Sequence, residues 1–217
     1  EQDDNVVKNN DFFVPEFRAL VEDKEKVNLL LSMNEIDGIY VPFEEYKAEE
    51  RRELLKRAKQ ANKKIFYALP YIFRNPAQNR FADQWREIKE EQPAGILIRN
   101  IDEFAWIAEA CKKEQPEFEI VLDQSIYTYN KEAAFMYKQW LKTKYRHTFP
   151  LELNGDEWNF LSIENGEMIV YGRIPLMVTE KCLIREISSC EECKRNNGNA
   201  TLTDRTGAAF PVKRDFG

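Results

Sequence analysis

The sequence predicts an α/β fold: a (β/α) barrel-like domain, incomplete or distorted, with a small cysteine-containing appendage at its carboxyl end. Three observations lead there. Short apolar runs alternate with amphipathic stretches across most of the chain, and alternating strands and helices demand parallel strands joined by crossovers. The intervening helical stretches are similar in length. No Gly-x-Gly-x-x-Gly or phosphate-loop motif follows the first strand, where an open dinucleotide fold would place one. About seven β units are visible, against the eight of a complete barrel.

Residues 1–12 are polar and aperiodic and read as a disordered leader. Residues 13–179 carry the barrel-like rhythm, and residues 180–217 a β appendage. Phe17–Val21 is the first strand, and Asp23 caps an amphipathic helix running to Met33. Asp37–Val41 is a strand. The helix Glu49–Asn62 places Leu54, Leu55, Ala58 and Ala61 on one face. Strand Lys64–Leu69 leads to helix Phe81–Glu91, and strand Gly95–Ile98 to helix Ile101–Lys113. On the latter, Phe104, Ile107, Ala108 and Cys111 share a stripe, which makes Cys111 a packed free thiol. Glu119–Leu122, His147–Leu153 and Met168–Tyr171 are the remaining strands, separated by helix Lys131–Thr143 and a short helical turn, Asp156–Leu161. Past the turn cluster Asn196–Asn199, residues 201–212 read as a hairpin.

The chain has 217 residues and is 43% hydrophobic, enough for one sizeable core. Its formal charge is −6, from 32 basic and 38 acidic residues, which argues against a free-standing electrostatic clamp on nucleic acid. No apolar stretch approaches the ~18 residues of a membrane helix, and the acidic opening is no signal peptide. The expected location is therefore cytoplasmic, without a membrane partner. An opening on Glu1 in place of Met suggests a processed or excised segment.

Several strands end in polar residues: Arg74 after the third, Arg99 after the fourth, Asp123 after the fifth, Glu152 and Asn154 at the sixth, Arg173 after the seventh. In a barrel these positions share the carboxyl-end rim, where loops build sites, so all six are candidate substrate-binding residues. Glu152, between Leu151 and Leu153, should face away from both by strand alternation. The same residue types also cap helices and open turns. His147 is the only histidine and no Gly-x-Ser-x-Gly elbow exists, so no nucleophilic relay is visible and catalytic residues are unassigned. Two-carboxylate chemistry through Asp123 and Glu152 stays open.

Cys182, Cys190 and Cys193 form a Cys-x7-Cys-x2-Cys cluster. In a reducing compartment metal binding outranks disulfides for such a cluster, and the two-residue gap suits zinc or an iron–sulfur centre.

The run Tyr171-Gly-Arg-Ile-Pro-Leu-Met-Val-Thr-Glu-Lys-Cys182, the Cys190-x2-Cys193 pair and Leu202-Thr-Asp-Arg-Thr-Gly-x-x-Phe-Pro-Val212 resemble the C-terminal half of long collagenase-like peptidases of the unknown-mechanism class U, family 32. Asp123-Gln-Ser-Ile-Tyr-Thr-Tyr-Asn130 and Pro150-Leu-Glu-Leu-Asn154 resemble that family's strand-end motifs. The resemblance implies a peptidase by name, a hydrolase. Relatives hydroxylate RNA bases or a quinone precursor, the latter with an iron–sulfur cluster, so it also implies a domain contributing substrate binding to RNA-base hydroxylation or a related iron–sulfur-dependent reaction. The cluster cysteines would then be ligands to iron–sulfur or zinc in the full-length protein. In related members a further cysteine follows the Phe-Pro-Val strand, and an N-terminal domain of the same protein is the expected partner, with RNA. Two rival readings are a non-catalytic RNA- or protein-binding barrel and a metal-assisted protease. The second lacks a His-Glu-x-x-His helix here.

Overall fold

Seven strands pair in the order in which the chain makes them, every one parallel to its neighbours. They are β1 (Arg18–Leu20), β2 (Gly38–Pro42), β3 (Lys64–Ala68), β4 (Gly95–Ile98), β5 (Glu119–Leu122), β6 (Tyr145–Thr148) and β7 (Gly166–Glu167). A helix follows each of the first six: α1 (Lys24–Ser32), α2 (Ala48–Gln60), α3 (Asn75–Glu91), α4 (Ile101–Lys113), α5 (Lys131–Leu141) and α6 (Gly155–Leu161). The computed structural model describes residues 15–161, 165–183, 191 and 200–212. The expected leader at 1–12 and the cysteines Cys190 and Cys193 lie outside them.

Strand alternation divides the sheet into two faces. Ile39, Val41, Ile65, Tyr67, Ile96, Ile98, Ile120 and Leu122 turn to the helices and join the main core. Tyr40, Phe66, Ala68, Leu97 and Val121 form a second cluster on the opposite face. On the helical side, Phe81 packs edge-on against Phe43, Phe73 and Trp106. Arg51, 1% exposed, is held there by Glu91 at 3.0 Å, by Glu87 at 3.1 Å and by the Tyr46 carbonyl. Its guanidinium lies 4.6 Å from the Phe43 ring centroid.

The second face is concave. On a flat sheet, six steps of ~4.8 Å would separate β1 from β7 by about 29 Å. Yet Arg18 of β1 reaches Glu167 of β7 at 3.4 Å, and the Tyr40 hydroxyl donates to the same carboxylate at 2.9 Å. The sheet is therefore curled into an incomplete barrel, with no strand pairing between β1 and β7. Inside the curl, Arg18 also meets Glu16 at 2.6 Å and Glu119 at 3.3 Å. Arg146 meets Glu119 at 3.3 Å, and Thr148 donates to Glu167 at 2.9 Å. The Arg18 guanidinium lies 4.2 Å from the Phe66 ring centroid. Against the desolvation of its burial, hydrogen bonds from Lys64 and Arg18 pull the Glu16 carboxyl down to about 2. Close approach requires a glycine on this face: a Cβ at Gly95 would meet the Glu119 carbonyl at 2.6 Å and the Phe66 ring at 2.7 Å.

The barrel-like α/β fold expected from the sequence is what forms, with three local corrections. The sixth strand begins at Tyr145 and ends at Thr148, so Glu152 lies in a turn and not on the strand. Phe149 N–H still donates to the Glu167 carbonyl at 2.8 Å, but Pro150 has no N–H to continue the ladder. The seventh strand is Gly166–Glu167, while residues 168–171 run as exposed coil. Helix α3 starts at Asn75, ahead of the expected Phe81. The hairpin is present as β8 (Ala200–Thr203) and β9 (Ala209–Val212), antiparallel and separate from the large sheet. No described helix is long and apolar enough to cross a membrane.

Removing Arg18 leaves Glu119, Glu167 and Tyr40 without their shared cation inside the curl. Arg18→Ala should lower the free energy of unfolding by about 3–5 kcal/mol, read by urea denaturation. Arg86→Ala, which removes an exposed pair with Glu90, should leave the transition nearly unchanged.

Candidate substrate-binding rim

Because the sheet is parallel, the segments leaving β3, β4, β5 and β6 emerge on one side, the end at which barrel loops build sites. Arg74, Arg99, Asp123, Glu152 and Asn154 follow those four strands.

Arg99 and Asp123 are tied together by backbone. Asp123 N–H donates to the Ile98 carbonyl at 2.9 Å, extending the β4–β5 ladder, and Ser125 Oγ lies 2.7 Å from the Arg99 carbonyl. Asp123 caps a 3-10 turn at 124–126, accepting from Ser125 Oγ at 2.6 Å and from its N–H at 3.3 Å. Arg99 is 6% exposed, and its guanidinium lies 4.2 Å from the Tyr71 ring centroid. Its Nη2 is buried without a hydrogen-bond partner.

The loop after the 3-10 turn presents two tyrosines. Tyr127 takes a left-handed backbone, φ 56°, and its exposed ring stacks on that of Tyr129 at 5.7 Å and 14°. Such a conformation costs a non-glycine residue about 1 kcal/mol or more and persists only where its surroundings hold it. Glu152, exposed in its turn, sets its carboxylate beside the Tyr129 hydroxyl. Desolvation, with Glu152 adding to it, pushes that phenol up to about 12. A shallow pocket of about 340 Å³ opens beside it, lined by Tyr129, Asn130, Lys131, Leu153, Glu157 and Phe160.

The other expected site residues are placed differently. Asn154 caps α6: its Oδ1 accepts from Asp156 and Glu157 N–H groups at 3.0 and 3.1 Å, and its own N–H donates to Glu157 at 2.8 Å. That is the reciprocal pattern of a capping box. Arg74 is exposed and pairs with Glu180 at 3.5 Å. Arg173 stands on exposed coil six positions past β7. Cys182 is half-buried and free, while Cys190 and Cys193 fall outside the described residues. Among the described residues no His, Cys, Asp or Glu group is clustered to hold a metal. Cys111 is buried, as expected, and burial pushes its thiol up to about 11, away from reactivity.

Two buried titratable groups stand near the rim strands, of which the sequence had singled out only His147, as the lone histidine. Glu103, 0% exposed in the first turn of α4, accepts the Arg99 backbone N–H on Oε2 at 2.5 Å, while its Oε1 has no partner. Desolvation lifts its carboxyl to about 8 against the pull of Arg99 and Asn100, so the proton stays on at neutral pH. His147 is 2% exposed on the helical face, its Nδ1 3.0 Å from Thr128 Oγ1 and its Nε2 unpartnered. Desolvation drops its imidazole to about 4. A neutral, enclosed ring on the face away from the lumen is no base for chemistry at the rim.

No family model matches the chain, and no curated protein matches it. Among solved structures, that of the U32 peptidase Mk0906 is similar, with a TM-score of 0.53 and 11% identical residues. The match covers 71% of this chain and 67% of that one. At that identity the likeness is one of fold.

The two buried groups tilt stability in opposite directions with pH. The unfolded His147, at 6.5, binds a proton that the folded one, at about 4, refuses, so its contribution rises with pH across that window. Folded Glu103 keeps a proton up to about 8 that the unfolded carboxyl loses at 4.5, so its contribution falls as pH rises from 4.5 to 8. In urea melts, Glu103→Gln should therefore gain stability more steeply than the wild type between pH 4.5 and 6.5. His147→Gln should lose stability over that same rise.

Proposed function

We propose that this chain is a substrate-binding barrel domain of a collagenase-like, U32-family protein, and that its carboxyl-end rim receives the substrate. The observation that carries this reading is the fold: a singly wound, curled parallel sheet in sequence order, of the kind found in the U32 peptidase Mk0906. The family-like order of motifs in the sequence supports it. The side chains at the rim are suited to holding a ligand. Arg99 carries a partnerless buried nitrogen, Tyr127 and Tyr129 offer an exposed ring pair, and Asp123 and Glu152 fix the loop between them. None of them forms a nucleophile–base pair.

The reaction would then be supplied elsewhere in the whole protein. The resemblance implies a cytoplasmic, iron–sulfur-dependent reaction, RNA-base hydroxylation among the candidates, with Cys182, Cys190 and Cys193 as ligands and an N-terminal domain as partner. Zinc fits the same thiolate set. A second reading, peptide as substrate, is favoured by one observation. Among the described residues the rim encloses a single cation, with Arg74 paired outside it and Arg173 on coil, and the chain is acidic overall. A nucleic-acid strand calls for a track of several cations.

Metal analysis of the full-length protein, purified without oxygen, tests the cluster: iron should be present and should fall in Cys182→Ser, Cys190→Ser and Cys193→Ser alike. Crosslinking of RNA and of peptides to the same protein tests the rim. Crosslinks should map to residues 123–130, and crosslinks confined to the helical face would rule out this reading. The 217-residue chain alone should show no gelatin cleavage above an Arg99→Met control.

A further inference from the structure

We propose that Arg99 is the anchor of a carboxylate subsite at the mouth of the half-barrel, receiving one carboxylate group of the ligand. The inference rests on the reading of the carboxyl-end rim as the substrate site and names the group that the rim grips.

The placement follows from alternation. Ile96 and Ile98 face the helices and Leu97 the lumen. The β4–β5 ladder continues through Asp123 N–H to the Ile98 carbonyl, so Arg99 is carried to the lumen side, one step beyond Leu97 towards the rim. There it is 6% exposed. Its side chain donates no hydrogen bond to any described residue, and Nη2 is buried without a partner. No described carboxylate lies within ion-pair distance of it. Arginine keeps its charge at any pH a protein survives, and a buried, unpaired charge is costly.

The neighbours that could neutralise it are otherwise occupied. Asp123 is engaged by the hydroxyl and N–H of Ser125. Glu103 spends one oxygen on the Arg99 backbone N–H and holds a proton at neutral pH. What the fold does provide is rigidity. The Arg99 N–H is fixed by Glu103, and its guanidinium lies against the Tyr71 ring. A planar donor fork held in place ahead of its ligand matches a carboxylate, which accepts two parallel N–H bonds. The acidic neighbour Asp123 favours a monoanion over a phosphate dianion, and a lone cation fits one terminal group better than a chain of phosphates.

Acetate is the minimal probe. The Arg99 side-chain Nε–H resonance of the full chain is followed by NMR while sodium acetate, acetamide or inorganic phosphate is titrated at constant ionic strength and pH 7. Acetate should shift that resonance saturably, and acetamide should not. Arg99→Lys, which keeps the charge but loses the fork, should weaken acetate binding about tenfold, read on the Ser125 amide. Arg86→Lys should leave it unchanged. The proposal falls if acetate leaves Arg99 unmoved, if acetamide acts equally, or if phosphate binds more tightly than acetate. Should acetate fail at Arg99 while substrate still crosslinks to residues 123–130, the subsite is wrong and the rim reading survives. Should crosslinks miss the rim as well, both fall.

Discussion

Burying one guanidinium inside a curled sheet sets the terms for much of this molecule. Arg18 sits near the start of the first strand, yet three carboxylates surround it: Glu16 beside it, Glu119 from β5 and Glu167 from β7. A charge taken from water needs close partners on several sides, and partners on β5 and β7 can reach β1 only if the sheet bends. The curl and the ion cluster are therefore one fact seen twice. Tyr40 and Thr148 complete it by donating to Glu167, so the carboxylate is satisfied from β2 and β6 as well. The cluster gathers charges from the opening residues of β1, β3 and β5 and leaves the lumen above it apolar, through Phe66, Leu97 and Val121. At the far end, past that apolar layer, stands Arg99 with no such company.

The same chemistry is thus handled in two ways at the two ends. Near the strand starts, cations and carboxylates are matched and hydrogen-bonded, which is what a stabilising plug requires. At the strand ends, a cation is enclosed and a carboxyl beside it is held protonated. A third cluster, Arg51 with Glu87, Glu91 and Tyr67 on the helical face, follows the first pattern: it clamps α2 and α3 to β3. Against that background the partnerless rim arginine is the exception, and exceptions of this kind belong to sites more often than to scaffolding.

Most strands were legible because they run apolar on both faces, as in Ile96-Leu97-Ile98 and Ile120-Val121-Leu122. Strands β6 and β7 were misplaced for the opposite reason. Tyr145-Arg-His-Thr reads as polar because Arg146 and Thr148 face the ion cluster and His147 pairs with Thr128. The apolar runs on either side, Phe149–Leu153 and Met168–Tyr171, drew the assignment away. Arg99 and Asp123 stood out as candidates because they directly follow apolar strands. Glu152 and Asn154 were found by the same pattern, yet the structure spends Asn154 on a helix cap and Glu152 on a tyrosine hydroxyl. The partners that define the lumen are up to 149 residues apart, a distance over which no local periodicity speaks. Nothing in the sequence around Glu103 distinguishes it from any other first-turn acid.

The strict sequence order of the sheet bears on how the chain is made. Each strand needs only the strand before it, so pairing can proceed as residues leave the ribosome, and no segment has to wait for a distant one to complete its ladder. The exception is the contact between Arg18 and Glu167. Until β7 emerges, the nascent sheet holds its innermost cation with Glu16, Glu119 and the Tyr40 hydroxyl beside it, open to water along the unformed seam. Vectorial growth thus supplies the strands one by one, and β7, the last strand of the large sheet, brings Glu167 to the concave face.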